Sequence, residues 1–531
     1  MSTSGTLFTS ASLKAENAPP YSSMQGKIDP TLLQAVQDMG FDYMTPVQSK
    51  VLEGLPSLNS DCIVQAKTGT GKTTAFLLPA LQNALIHPNP RGQVSVLILS
   101  PTRELVLQIA AEASRLVGRS KNPFQIHTAF GGSARASNLK KFQRGDPKVL
   151  VATPGRLNDY LSEEDIKSRF TKMRTLILDE ADRMLDQGFL PDILKILRAL
   201  PPKNSQGSKW QGMCFSATIP PKMVQVLSHV LDEDHVSIST IDKSEPPTLD
   251  KVPQYSIVIP KVEDTFATLF SILKKEIQIT QQESKIIVFG TTANLVALYS
   301  ELSHHLMDLP TYELHSRMSQ PARTKATAAF KAARNGIMFA TDVIGRGMDF
   351  PDVSLVVQVG LPADSDCYTH RVGRTARAGK GGRAVIFLTE RESFFLKVNR
   401  QFPIQPYPSS EEIQNDSLST QGTNEAMNAI DPTTKQKAYS AYLGFMKGFM
   451  NKLQLKPADL VRMANDLALK GMHTGEVPEM EKKTVGKMGL KGVAGLRYAT
   501  PSVKSLDDGS NGSRSSHRDA VLDRKPKRLR G

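Results

Sequence analysis

Short apolar runs that each stop at a polar cluster bearing glycine, proline or acid recur along this chain, and they leave few folds open to it. Between residues 28 and 240 the runs Cys62–Val64, Val96–Leu99, Val149–Ala152, Thr175–Leu178 and Met213–Phe215 read as strands. They lead into AKTGTGKT (66–73), SPTREL (100–105), TPGR (153–156), DEAD (179–182) and SAT (216–218). Helical patterns begin near Lys72, Glu104, Leu157 and Pro191. Strand and helix in alternation predict βαβ units and a parallel sheet. Ligands bind at the carboxyl ends of strands in such sheets, so all five clusters are expected to face one site.

A stretch rich in proline, serine and charge, residues 240–253, reads as a linker. A second alternating block follows, with strands expected at Ile286–Phe289, Ile337–Ala340, Leu355–Val359 and Ala384–Leu388. Two α/β lobes on a short linker imply a cleft that opens and closes. After Pro408 the pattern turns helical. Tyr439, Tyr442, Leu443, Phe445, Met446, Phe449 and Met450 are spaced as one core-facing stripe of a helical appendage on the second lobe. The expected division is therefore a disordered 1–27, a first lobe 28–240, a linker 241–253, a second lobe 254–408, a helical extension 409–501 and a disordered basic tail 502–531.

Charged residues make up 22% of the chain and hydrophobic ones 40%, as in a globular protein. No apolar run reaches the ~20 residues that span a bilayer, so no membrane partner is expected. Cys62, Cys214 and Cys367 lie far apart without metal-ligand spacing and read as reduced core residues. The net charge is +14, and residues 431–531 supply 20 basic against 10 acidic side chains, 20 − 10 = +10 of it. A basic end points to a polyanion, with nucleic acid first. The last stretch, Arg524-Lys525-Pro526-Lys527-Arg528-Leu529-Arg530, fits a nuclear import signal or a non-specific nucleic-acid contact. The first 15 residues are Ser/Thr-rich and free of acid, as in a transit peptide, but the first arginine of the chain is Arg91.

Gly69-Thr70-Gly71-Lys72-Thr73 follows a strand and opens a helix, where backbone N–H groups converge on phosphate. Lys72 is placed to reach the β- and γ-phosphates of a nucleotide and Thr73 to offer a hydroxyl to Mg²⁺. Ala66 stands where the usual first glycine of a phosphate loop would be. In DEAD, Asp179 sits at the sheet edge, where it can hold Mg²⁺ through water, and Glu180 can orient and deprotonate an attacking water. Upstream, Phe41 can stack on a base, and the Gln48 amide after Thr45-Pro46 offers adenine both a donor and an acceptor. In the second block Arg374 and Arg377 stand three apart. On a helical turn they would share a face and present two guanidinium groups to a γ-phosphate across the cleft.

In order and spacing these motifs resemble the DEAD-box family of superfamily 2 RNA helicases over roughly residues 28–405. The resemblance takes in Phe41, Thr45 and Gln48; Ala66–Thr73; Pro101-Thr102-Arg103-Glu104-Leu105; Gly131-Gly132; Thr153-Pro154-Gly155-Arg156; Asp179–Asp182; and Ser216-Ala217-Thr218. It continues through Ile287-Val288-Phe289-Gly290, Gln320 and Arg323, Thr341-Asp342 with Arg346-Gly347 and Asp349, and His370–Arg377. It implies two RecA-like lobes with ATP and Mg²⁺ between them, bounded by the loop 66–73, Asp179, Glu180, Ser216 and Thr218 on one side. Asp349, His370, Arg374 and Arg377 bound the other. It also implies RNA backbone across Pro101, Thr102, Arg103, Gly131, Gly132, Thr153, Pro154, Gly155, Arg156, Gln320, Arg323, Thr341, Asp342, Arg346 and Gly347. Gly345 and Gln358-Val359-Gly360 depart mildly from the family pattern.

The helical region 436–470, Lys487-Met488-Gly489-Leu490-Lys491-Gly492-Val493 and Gly495-Leu496-Arg497 resemble the extension of the family's fungal mitochondrial branch, RNA chaperones of intron splicing. The expectation is a monomeric RNA-stimulated ATPase that separates short duplexes in the mitochondrial matrix, with the nucleus or nucleolus as the alternative compartment. A static ATP-gated RNA clamp and a DNA helicase are the competing readings.

Overall fold

The structure is a computed structural model that describes residues 18–66, 69–120, 124–132, 135–203, 209–241, 252–280, 283–344, 350–376 and 381–499. Outside these lie residues 1–17 of the expected disordered start, the basic tail, most of the linker, and the site candidates Lys67, Thr68, Arg346, Gly347, Asp349 and Arg377. Residues 18–27 of that start are instead ordered, because Tyr21 and Met24 of the short turn Tyr21–Met24 bury their side chains in the first-lobe core.

Two seven-stranded sheets organise the described residues. The first holds β1 (Cys62–Gln65), β2 (Val96–Leu99), β3 (Gln125–Ala129), β4 (Pro147–Ala152), β5 (Thr175–Asp179), β6 (Gln211–Ser216) and β7 (Val236–Ser239). Their spatial order is β3-β4-β2-β5-β6-β1-β7, and every pairing is parallel. The second holds β8 (Gln254–Ile259), β9 (Lys285–Phe289), β10 (Thr311–Leu314), β11 (Gly336–Ala340), β12 (Leu355–Val359), β13 (Arg383–Thr389) and β14 (Ile404–Pro406). It runs β10-β11-β9-β12-β13-β8-β14, again parallel throughout. These are tandem RecA-like lobes. An all-parallel sheet sets all its strand carboxyl ends on one edge, and that edge gathers the polar clusters of each lobe.

Every side chain of β2, β5 and β6 is buried, because helices cover both faces of the first sheet. One face packs Phe76, Leu77 and Ala80 from the helix Lys72–Ile86; the other packs Leu157 from the helix Pro154–Tyr160 and Ile193 from Leu190–Ala199. Gly212 in β6 marks a close approach: a Cβ there would lie inside the contact distance of the Val230 carbonyl oxygen, which is backbone and cannot swing away. Gly212→Ala is therefore expected to destabilise the first lobe by about 2 kcal/mol. Its thermal midpoint would fall by roughly 4–8 °C, read by calorimetry.

The helical region does not stand apart as a separate core. Tyr439, Leu443 and Met446 of the helix Pro432–Phe449, with Leu460 and Leu467 beyond it, join the same buried cluster as the second sheet. Each fully buried apolar side chain contributes roughly 1.5–3 kcal/mol relative to exposure. The expected stripe is buried at Tyr439, Tyr442, Leu443 and Met446; Phe445, Phe449 and Met450 are partly buried against it. Polar ties add register: Ser271 Oγ donates to Asp416 Oδ2 at 2.9 Å, and Asn294 Nδ2 to the Lys437 carbonyl at 2.8 Å.

Candidate active site and nucleic-acid interface

Gly71 caps the helix Lys72–Ile86 in the left-handed region, φ 89°. The Gln48 amide nitrogen donates to its carbonyl at 3.1 Å, and a Cβ on Gly71 would stand 2.5 Å from that nitrogen. Only glycine meets both demands. The other end of the same amide accepts from Thr45 N at 2.8 Å, closing a capping box on the helix Pro46–Leu52. Gln48 thus has both amide groups engaged within the chain, tying the capping turn to the phosphate loop. Phe41 is half-buried against the lobe's core.

Lys72 is only 6% exposed; its Nζ donates to the Ala66 carbonyl at 3.2 Å and lies 3.5 Å from Glu180 Oε1. Asp179 ends β5 and is buried beside them. Burial, and then the Glu180 carboxylate, push the Asp179 carboxyl up to about 7, with the Lys72 ammonium pulling the other way. A cation arriving at Asp179 would take the proton's place. Glu180 is 2% exposed and takes φ 51° as the cap of the helix Ala181–Asp186, a conformation that disfavours a side chain.

Ser216 and Thr218 serve Asp182. Its carboxylate accepts from the Thr218 N–H and Oγ1 at 3.0 Å each, its own N–H donates to Ser216 Oγ at 3.1 Å, and Ser216 Oγ donates to the Thr218 carbonyl at 2.7 Å. The next residue continues the chain across the cleft: Arg183 Nη2 donates to the Asp342 carbonyl of the second lobe at 3.0 Å. The Asp342 carboxylate in turn holds Arg371 through two bonds, 2.7 and 2.8 Å, and accepts from Cys367 Sγ at 3.1 Å. Burial pushes the Asp342 carboxyl up, but the Arg371 guanidinium and its hydrogen bonds outweigh this and hold it below the usual range. Asp342, expected on RNA, thus pairs with Arg371 while its own side chain stays 50% exposed. Arg374 is 1% exposed, with Nε on the His370 carbonyl at 3.0 Å. The helix Ser365–Val372 stops before it, and the expected partner Arg377 lies outside the described residues.

Along the first lobe's strand ends, Thr102 caps the helix Arg103–Val117 and Thr153 N donates to the Ala129 carbonyl at 2.9 Å, fastening the ends of β4 and β3 together. The Arg103 guanidinium lies over Gly131-Gly132, with Gly132 at φ 81°. Thr153 and Pro154 are buried, Gly155 is partly exposed, and Arg156 pairs with Asp159 at 3.5 Å. Arg103, Gly131, Gly132, Gly155 and Arg156 therefore share one edge. Gln320 and Arg323 reach across the cleft: Arg323 Nη2 pairs with Glu104 Oε1 at 2.6 Å, and Gln320 Nε2 donates to it at 3.2 Å. Glu104, Asp182 and Arg371 lie inside the motifs quoted above, and Arg183 follows one, but the motifs alone give none of them a partner. Those partners lie on other loops or the other lobe.

A parallel sheet with a lysine-bearing loop and buried acid pair at its carboxyl edge, bonded to a second such lobe, is a two-lobed helicase architecture. The DEAD/DEAH box helicase family model matches residues 45–226, and the helicase conserved C-terminal domain matches residues 268–379. The chain belongs to the DEAD-box ATP-dependent RNA helicases. Among these it groups with mitochondrial Mss116 proteins of fungi. It is 56% identical over 491 residues to the ATP-dependent RNA helicase mss116, mitochondrial, of Aspergillus oryzae, covering 91% of this chain and 77% of that one. With the Phaeosphaeria nodorum MSS116 it shares 52% identity over 486 residues, 91% of this chain and 88% of the relative. A solved structure of Mss116p bound to single-stranded RNA and AMP-PNP is similar at TM-score 0.78 and 28% identity, over 89% of this chain and 95% of that one. Among the described residues no helix is long and apolar enough to cross a membrane.

Proposed function

We propose that this chain couples ATP hydrolysis between its lobes to the local opening of RNA duplexes, and that it assists intron splicing and RNA folding in the mitochondrial matrix. The division proposed for this work is a first lobe 28–240, a second lobe 254–408 and an extension 409–501. The observation that carries the reading is the unbroken series of bonds from Ser216 and Thr218 through Asp182 and Arg183 to Asp342 and Arg371. One link in it, from Arg183 to Asp342, crosses from the wall of the ATP site to the opposite lobe.

In this mechanism the loop 66–73 seats the phosphates and Lys72 binds the terminal ones. Glu180 accepts the proton of the attacking water, and Arg374 with Arg377 stabilises the charge that develops. Asp179 and Thr73 fit Mg²⁺: one is a buried carboxyl whose burial favours the proton unless a cation replaces it, the other a hydroxyl at the start of the phosphate-loop helix. The bound ion would neutralise phosphate charge. Strand ends bearing Arg103, Gly131-Gly132, Gly155 and Arg156 hold RNA backbone in a bent path, which a duplex cannot follow. Backbone contacts carry little sequence preference and a steep salt dependence.

A multiple-turnover ATPase assay of the full chain with single-stranded RNA or DNA of equal length tests this. RNA is expected to stimulate turnover and DNA to fail. Stimulation by DNA alone would make it a DNA enzyme, and a single RNA-locked turnover would make it a clamp.

A further inference from the structure

The first sheet ends in an open edge. β3 pairs with β4 on one side, and on the other a groove of about 890 Å³ lies between β3 and the helix Arg135–Arg144. Gln125, Ile126, His127, Lys140, Lys141 and Arg144 line it. The helix sequence RASNLKKFQR contains no acidic residue, and Lys140, Lys141 and Arg144 are exposed. Among the described residues none of these three makes an ion pair. The nearby acids are engaged elsewhere: Glu163 with Arg135 at 3.1 Å, Asp165 with Gln143 at 2.8 Å and Asp146 with Lys148 at 3.0 Å. His127 feels the surplus. Desolvation, then Lys141 and Arg169, hold its ring below the usual imidazole range.

The groove flanks the amino-terminal half of β3, Gln125–His127, roughly 10 Å along the strand from the edge where the carboxyl ends gather. β2, β4 and β3 are neighbours in that order, and β3 leads directly into Gly131-Gly132 before the basic helix starts. A polynucleotide crossing the carboxyl ends from β2 to β3 leaves the sheet at this point. From there the β3 edge runs roughly 15 Å back to Gln125, and the three cations, in the second half of the helix, sit toward that far end.

We propose that this groove is a second RNA-backbone site, in which Lys140, Lys141 and Arg144 hold phosphates flanking the stretch bound at the strand ends. The inference rests on the reading of those strand ends as the RNA site. An acidic peptide is the poorer occupant: the lining offers Ile126 as its one large apolar side chain and no aromatic pocket to anchor a peptide. Mobile ammonium groups over a polar floor suit a phosphate chain.

The test uses the full chain carrying Lys140→Gln, Lys141→Gln and Arg144→Gln together, on solvent-facing positions that tolerate glutamine in a helix. Binding of oligouridylates of about six and about thirty nucleotides is measured by anisotropy with a non-hydrolysable ATP analogue across a salt series. The longer RNA is expected to lose about tenfold in affinity, and its log–log salt slope to fall by roughly 2, three contacts at ~0.7 each. Binding of the short RNA, and the ATPase it stimulates, should not change. Equal losses at both lengths, or no loss at either, would overturn the proposal, as would unchanged RNA binding together with lost binding of polyglutamate. Failure of the short RNA to bind the unaltered chain would instead strike the strand-end reading.

Discussion

Glu180→Gln is expected to lower RNA-stimulated ATP turnover by about a thousandfold while ATP and RNA still bind. Glutamine keeps the shape of the side chain, so the left-handed turn at φ 51° and the cap of the following helix survive. What disappears is the carboxylate that accepts a proton, and with it the charge 3.5 Å from Lys72. The effect on Asp179 favours the bound state. Glu180 is the second cause of the rise that puts the Asp179 carboxyl at about 7, so without its charge Asp179 ionises at lower pH and accepts a cation more readily. The variant should therefore accumulate as a closed complex with ATP and RNA. Single-turnover hydrolysis and RNA release after a competitor chase measure both effects. Turnover within about tenfold of the unaltered chain would place the base elsewhere.

Much of this architecture is legible in the residues, and the exceptions share a cause. Strands buried on both faces, such as VLIL of β2 and TLIL of β5, show as apolar runs because each side chain meets a helix. β3 (QIHTA) and β7 (VSIS) form the edges of the first sheet, and β10 (TYEL) and β14 (IQP) those of the second. Each edge strand is only partly buried, so none carries a continuous apolar signal. β8 (QYSIVI) is interior but opens on polar residues, with Gln254 accepting from the Tyr368 hydroxyl at 2.8 Å.

The site divides the same way. Lys72, Asp179 and Glu180 are recognisable because the chemistry needs those residue types beside a phosphate loop. The holding residues are not. Ser216 and Thr218, expected at the ATP site, also hold Asp182, and Gln320 and Arg323, expected on RNA, also hold Glu104. Those partnerships exist only once the chain is folded and the lobes are apposed.

Lys72→Ala is expected to abolish RNA-stimulated ATPase, by about a thousandfold or more, and to weaken ATP binding at the same time. The ammonium is buried, aimed by the Ala66 carbonyl, and is the near counter-charge to two buried carboxyls. Losing it has a consequence apart from catalysis. With Lys72 present, Asp179 titrates near 7 in the folded chain and near 3.8 when unfolded, so the folded state holds the extra proton between those values. Stability from that proton is full below about 4 and is lost as pH rises through 7. Without Lys72 the folded value climbs further, so the loss continues above 7. The nucleotide-free variant should therefore lose thermal stability between pH 7 and pH 8 where the unaltered chain, on this account, changes little. Thermal midpoints at the two pH values read this without any turnover, and parallel midpoints would show that Lys72 does not set the charge state of Asp179. ATPase within about tenfold of the unaltered chain would remove Lys72 from the phosphate site altogether.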